Sequence, residues 1–285
     1  MTKNILQKIE KAGLVGRGGA EFPTHLKWKF TKKSKAPQKY VVCNASEGET
    51  GLFKDHFILK NHLKEMLNGL TLAMDFLKTK EAYINLNKNY YDEIKSNLNR
   101  QLSTLKKKGY NISIYKEEPS YIGGEETALL NAIEEKRIQP RYKPPYTSEK
   151  GLNQMPTLVH NVETLYDVYL AANDKYDNQR FCCISGQIKN PGVFRVSNYA
   201  SLEEILHTTK NFPRFDFFAQ VGGSISGPVF NKSQLAKEKL TGAGSIEIYK
   251  SNVSPAKVLN KWFKFYHEES CGKCTPCREG TYQLY

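Results

Sequence analysis

The sequence predicts an α/β protein: a parallel sheet with crossover helices, then a small α+β unit, then a helical tail that carries cysteines. Three observations support this. Short apolar runs alternate with segments of helical periodicity through the first part of the chain, the pattern of strands joined by crossover helices. The texture changes near Ala172, where strand-like runs around an Asn-Pro-Gly turn take over. Three of the six cysteines crowd into Cys271–Cys277.

In order, residues 3–12 read as a charged amphipathic helix, followed by the glycine-rich loop GLVGRGGAEFPTHLKW. Tyr40–Ser46 (YVVCNAS) reads as a buried strand running into a loop. Phe57–Leu77 has helical periodicity, Ala82–Asn87 is a strand, Tyr91–Lys107 a helix and Asn111–Lys116 a strand. YIGGEETALL passes from a glycine/acid loop into a helix, QPRYKPPY is a rigid loop, and Asn161–Ala172 is a further helix. FCCISGQIKNPGVFRV forms two strands around its turn, SLEEILHT begins at an N-capping Ser201, and FDFFAQVGGSISGPVF and SIEIYK are strand-like. A last helix, about Pro255–Glu268, leads into the cysteines. The units expected are therefore 1–173, 174–250 and 251–285.

Composition narrows the function. The chain has 285 residues, 39% hydrophobic and 12% aromatic, which supplies a core and excludes wholesale disorder. The net charge is +13, but the lysines are scattered apart from Lys29–Lys39, and no Arg/Gly repeat or RNA-binding aromatic signature accompanies them. A solvated basic surface is expected rather than a nucleic-acid partner. No apolar run approaches the ~18 residues of a membrane span. The N-terminus lacks a signal-peptide core. The clustered cysteines have ligand spacing suited to a reducing, cytoplasmic compartment.

Several loops carry the chemistry. In Gly16-Arg17-Gly18-Gly19-Ala20, glycines let backbone N–H groups face an anion, and Arg17 is a candidate phosphate partner. The loop has neither GxGxxG spacing nor the Lys-Ser/Thr of a P-loop, and an ordinary tight turn also explains it. Phe22, Lys27, Trp28 and Phe30 follow, aromatics and a cation suited to a stacked anionic cofactor. Cys43-Asn44-Ala45-Ser46-Glu47-Gly48-Glu49 leaves the end of a buried strand, where α/β sheets bind ligands. Gly124, Glu125 and Glu126 sit at a helix start, where acids are also ordinary capping residues. Cys271-x2-Cys274-x2-Cys277 can wrap an iron–sulfur cluster, with zinc the alternative, and both metals want a fourth ligand. Cys182 and Cys183 read as core thiols.

GRGGAEFPTHLKW, CNASEGETGLFKDH, YIGGEETALLNAIEEKR, KPPY, HNVETL and SCGKCTPCREGT, in this order, resemble the flavin subunit of respiratory complex I and the same module in NAD-linked hydrogenases and formate dehydrogenases. The resemblance spans about residues 5–285. It implies a Rossmann-like flavin domain, a ubiquitin-like β-grasp domain over 174–250 and a helical domain holding a 4Fe–4S cluster. It also implies hydride transfer from NADH to FMN, then single-electron transfer to the cluster and onward to a quinone- or hydrogenase-type partner. The implied partners are a thioredoxin-like 2Fe–2S subunit and a larger iron–sulfur subunit, with membrane contact only through the complex.

Position by position, the resemblance makes Gly16, Arg17, Gly18, Gly19 and Ala20 the flavin phosphate loop. Asn44, Ser46 and Glu47 border the isoalloxazine edge, with Gly124, Glu125 and Asn161, and His160 is a further cofactor-binding position. Phe22, Phe30 and Tyr146 pack the adenine of NADH. Lys27, Glu49 and Glu126 hold its polar parts, with Lys27 and Glu49 assigned to the catalytic site. Cys271, Cys274 and Cys277 are cluster ligands, and the family's fourth cysteine lies beyond this C-terminus. The family carries glycine at the positions of Glu21 and His25, aspartate at Ser46 and asparagine at His160. A carboxylate at Glu21 is expected to repel the NADH diphosphate. These departures keep open a flavin relay that takes electrons from a protein donor instead of NADH.

Overall fold

The computed structural model describes residues 2–285. Four strands, β1 (Tyr40–Ala45), β2 (Glu81–Asn87), β3 (Asn111–Glu117) and β4 (Thr157–Asn161), form a wholly parallel sheet in the order β3-β2-β1-β4. The chain moves outward from β1 to β3, then returns to the opposite side of β1 to lay down β4. Strand order therefore reverses between β1 and β4, where open α/β sheets form their ligand crevice. In register, Cys43 lies opposite His160 and Asn44 opposite Asn161.

Helices cover both faces, as parallel strands require. One face buries Val41, Cys43 and Leu158 in a core with α1 (Thr2–Lys11), α2 (Thr24–Lys33), α3 (Lys54–Asn61), α4 (Leu63–Leu77), α5 (Lys88–Lys107) and α7 (Val162–Ala172). The other face buries Val42 and Val159 against Leu129 and Leu130 of α6 (Glu126–Ile133). A Cβ on Gly69 would lie 1.9 Å from the Leu165 carbonyl, so glycine is what lets α4 and α7 touch.

The second sheet is mixed, in the order β6-β5-β9-β7-β8. Its strands are β5 (Gln179–Gly186), β6 (Gly192–Ser197), β7 (Phe217–Val221), β8 (Val229–Asn231) and β9 (Ser245–Lys250). One helix, α8 (Leu202–Thr208), packs Leu202, Ile205 and Leu206 on it, the arrangement expected of a β-grasp unit. Ser201 caps α8 as the sequence suggests, in a reciprocal capping box with Glu204. Phe181 of β5 belongs to the first core, where it packs against Phe57, His62 and Tyr166. Cys182 and Cys183 are fully buried, as expected. The C-terminal segment is a hairpin of α9 (Pro255–Glu268) and α10 (Thr275–Leu284). It rests on the rest of the chain through Tyr121–Phe265 ring contact and a Tyr266 hydroxyl that donates to the Ile225 carbonyl at 3.1 Å.

The structure departs from the sequence reading in four places. The helix expected over Phe57–Leu77 is two, broken at His62, whose backbone leaves the helical region at φ −134°. Helix α2 lies where the sequence reads as loop, because its buried face, Thr24, Trp28 and Thr31, is mostly threonine. Strand β4 gives no sequence signal: four of its five residues are buried, on both faces, so there is no alternation, and two of the four are Thr and His. Helix α10 has no buried side chain, so no apolar stripe announces it.

Candidate active site

A cavity of about 1080 Å3 opens over the carboxyl ends of β1 and β4. Its lining includes Gly16, Gly18, Ala20, Phe22, Lys27 and Phe30 from the first loop and α2. Asn44 comes from β1, Gly124, Glu125 and Glu126 from the start of α6, Tyr146 from the proline loop, and His160 and Asn161 from β4. Most residues singled out by sequence therefore meet at one crevice. Sequence reasoning missed Lys143, which also lines it; its place in the KPPY motif was the available signal.

The glycine-rich loop closes on itself, with the Gly16 amide donating to the Phe22 carbonyl at 2.9 Å. The Arg17 amide donates to Thr164 Oγ1 at 2.9 Å, which pins the loop to α7. Gly19 holds φ +112°, which L side chains rarely adopt. A Cβ on Gly18 would rest 3.5 Å from that of Asn161. The loop thus offers bare backbone to the crevice.

Asn44 Nδ2 donates to the Gly124 carbonyl at 2.9 Å, joining β1 to the entry of α6. Glu125 caps α6, accepting from the Thr127 and Ala128 amides at 3.0 and 2.9 Å. Glu126 is gripped by Lys27 at 2.8 Å and Lys143 at 3.4 Å. Burial alone would raise its carboxyl, but the two lysines outweigh burial and hold it below the ordinary carboxylate range. Phe22, Phe30 and Tyr146 stand about half exposed at the mouth, with the two phenyl rings 6.5 Å apart. Such rings suit a planar heterocycle.

Beneath the crevice lies a buried charge network. Lys54, 2% exposed, reaches Asp55 at 2.7 Å, Glu163 at 3.1 Å and Asn161 Oδ1 at 3.3 Å. Asn161 Nδ2 donates to Asp55, and its Oδ1 also caps α7 through the Glu163 amide. The amide of Asn161 is therefore fixed in one orientation.

Five expectations need correction. The Arg17 guanidinium turns away from the crevice to Asp167 at 3.3 Å, Tyr176 at 3.0 Å and Asn198 at 3.1 Å, so only the backbone of Arg17 serves the loop. Glu47 does not border the cavity. Its carboxylate accepts from the Asp55 and His56 amides at 2.8 and 3.1 Å and from the Tyr90 hydroxyl, acting as a cap on α3. Burial, with the neighbouring Asp55, pushes it up to about 8. Ser46 is buried beside Gly124 rather than in the lining. Glu49 and Lys27 do not share a cavity. Glu49 lines a smaller one of about 330 Å3, with Gly18 and Gly19 on one wall and, on the other, Gly222 and Gly242 from the loops after β7 and before β9. There it accepts from Ser226 Oγ at 3.3 Å. Glu21 lines the large cavity, but its carboxylate meets Arg180 of β5 at 3.0 Å, which answers its charge.

The three C-terminal cysteines are partly or fully exposed. Among the described residues no three His, Cys, Asp or Glu side chains converge at metal-binding spacing. Lys273, between two of the cysteines, lies 3.9 Å above the Tyr142 ring, and Arg137 donates to the Cys271 carbonyl at 3.0 Å. The cysteine loop is thus moored to the proline loop that also lines the crevice. Among the described residues, no helix is long and apolar enough to cross a membrane.

Residues 9–170 match the model of the Nuo51 FMN-binding domain. The chain belongs to this family. Residues 257–285 match the NADH-ubiquinone oxidoreductase-F iron–sulfur binding region. An NADH-quinone oxidoreductase F subunit of Rhizobium meliloti is 32% identical, over 97% of this chain and 74% of its own length. The alpha subunit of the NAD-reducing hydrogenase HoxS of Cupriavidus necator is 30% identical, over 99% of this chain and 51% of its own. A crystal structure of an NAD+-reducing NiFe-hydrogenase in the H2-reduced state superposes with a TM-score of 0.91 at 30% identity, covering all of this chain and 53% of that one. The chain spans about half the length of these hydrogenase chains. Members of the Nuo51 family are oxidoreductases whose cofactors are FMN, NADH and a 4Fe–4S cluster.

FMN fits the crevice, whose glycine loop presents backbone without side chains and whose floor holds oriented asparagines. The three thiols fit an iron–sulfur cluster as a donor set but are not a preformed cage.

Proposed function

We propose that this chain is the NADH-oxidising flavin module of a multisubunit electron-transfer complex. The observation that carries this reading is the Lys27–Glu126–Lys143 clasp at the mouth of a glycine-rich crevice at the β1/β4 switch point. Bound FMN supplies the hydride acceptor and divides a two-electron donor into single-electron steps. The chain's part is to hold and orient. Gly16, Gly18 and Ala20 receive the flavin phosphate, and Asn44 and Asn161 hold the ring's polar edge. Phe22, Phe30 and Tyr146 stack the nucleotide's adenine, while Glu126 accepts from its ribose hydroxyls. Cys271, Cys274 and Cys277 take the cluster together with a fourth donor. The partners would be a thioredoxin-like 2Fe–2S subunit and a larger iron–sulfur subunit, on the cytoplasmic side of a membrane.

The rival reading, a flavin relay fed by a protein donor, draws on Glu21, whose repulsion Arg180 answers. Visible spectra taken without oxygen separate the two. The purified protein should show flavin bands that bleach on adding NADH. Bands that ignore NADH but bleach with dithionite would replace this proposal with the relay.

A further inference from the structure

His160 is a buried side chain of β4, 4% exposed, that lines the large cavity. Its Nε2 lies 2.8 Å from Trp28 Nε1. An indole N–H can only donate, so Nε2 must offer its lone pair. The proton of the neutral ring then sits on Nδ1. A second proton on Nε2 would point at the indole hydrogen and is excluded by the same contact. Burial and the nearby Lys27 charge independently lower the basicity of the ring.

Nδ1–H has no hydrogen-bond partner among the described residues. Nor is Nδ1 among the buried atoms that are sealed from solvent and unpartnered. Its open side is therefore the cavity that the ring lines. A donor held this deep needs an acceptor from whatever fills the cavity. Trp28 is itself immobile: it is fully buried and packs on Phe76 at 5.0 Å. The donor is thus fixed in tautomer and position.

We infer that His160 is a potential-setting residue: its Nδ1–H, held in place by Trp28, donates to an acceptor atom of the isoalloxazine ring. This rests on the flavin reading above. The ring's heteroatoms gain negative charge on reduction, so a fixed neutral donor binds the reduced flavin more tightly than the oxidised form. Asparagine can place its Nδ2–H where the histidine Nδ1–H stands, whereas phenylalanine keeps a ring and offers no donor.

The test uses the full chain loaded with FMN. His160→Phe should weaken binding of reduced FMN relative to oxidised FMN about tenfold, a fall of about 30 mV in the two-electron potential. His160→Asn should restore most of that difference. Nitrogen-15 spectra of histidine-labelled protein should show a protonated Nδ1 and a bare Nε2, and the Nδ1 proton should shift when FMN binds. Trp28→Phe should release the lock and admit the other tautomer. An unchanged potential in His160→Phe overturns the inference, as does a protonated Nε2. So does a loss of preference for FMN over riboflavin at unchanged potential, because the acceptor is then the phosphate. Should His160→Phe not fold, the nitrogen spectra with and without FMN decide alone. A protein that takes up no FMN refutes the flavin reading itself, a result distinct from all of these.

Discussion

The floor of the large cavity and the cysteine loop are built in opposite ways. Around Asn161, Lys54, Asp55 and Glu163 already hold one another, buried, before any ligand arrives. Around Cys274 the thiols are exposed and do not converge. The first site is organised by the fold and spends its stability on keeping charges in place. The second has to be organised by its metal, because a nearly bare helical hairpin supplies little else; Val258 is the only buried side chain of α9, and α10 has none. Preorganisation and ligand-driven ordering thus coexist in one chain, and each fails differently.

The comparison breaks most sharply at Lys54. Lys54→Met strands two buried carboxylates, those of Asp55 and Glu163, and should destabilise the chain by about 3–5 kcal/mol. Urea unfolding measures this, and a loss under about 1 kcal/mol would mean that the floor is not held by charge.

Next in size is pH. The Glu47 carboxyl stands at about 8 in the folded chain against an ordinary 4.5, and Asp167 stands at about 7 against 3.8. A carboxyl raised by folding favours the protonated form, so its contribution is complete below the unfolded value and is lost as pH climbs through the folded one. Stability should therefore fall as pH climbs from about 4.5 to about 8, with Glu47 a main contributor to the loss. Melting curves for Glu47→Gln should be flatter over that window, and a slope equal to that of the parent would remove Glu47 from the account.

Glu21→Gly is a smaller effect of mixed sign. Glycine relieves a left-handed backbone at φ +50°, but it leaves Arg180, 2% exposed, with only the Leu240 and Gly242 carbonyls. A net loss of about 1 kcal/mol is expected. NADH affinity, read from flavin fluorescence, should change by less than about tenfold. A larger gain would show that the carboxylate swings from Arg180 into the crevice.

At the other site, Cys274→Ser should abolish iron retention on anaerobic reconstitution yet leave the melting temperature of the parallel-sheet half within about 1 °C. A large drop would mean that the cysteine loop supports the crevice through Lys273 and Tyr142.

Much of this was legible in the sequence, for physical reasons that also mark the limit. The strands β1 to β3 announce themselves through apolar runs, and α8 through Ser201 and Glu204, because these signals lie within a few residues of one another. Asn44, Glu125 and Glu126 can be placed at strand and helix ends because the glycines beside them are local marks. What could not be read was direction. Arg17 finds its side-chain partners, and Lys54 finds Asn161 and Glu163, more than a hundred residues away, and whether a cation faces a crevice or a buried acid depends on strand order. The return strand β4, which fixes that order, is also the strand the sequence conceals.

The burial of half the thiols has a practical consequence for handling. Cys43, Cys182 and Cys183 are sealed in the interior, where desolvation raises all three and pushes Cys182 up to about 12. Thiolates are the reactive form, so these three should be inert to air and to alkylating reagents. Metal-free protein kept in air should therefore oligomerise through Cys271, Cys274 and Cys277, and a reducing gel should return it to monomer. A short pulse of iodoacetamide on freshly reduced, metal-free protein would titrate the empty cluster site directly, with the folded core as its own unreactive standard.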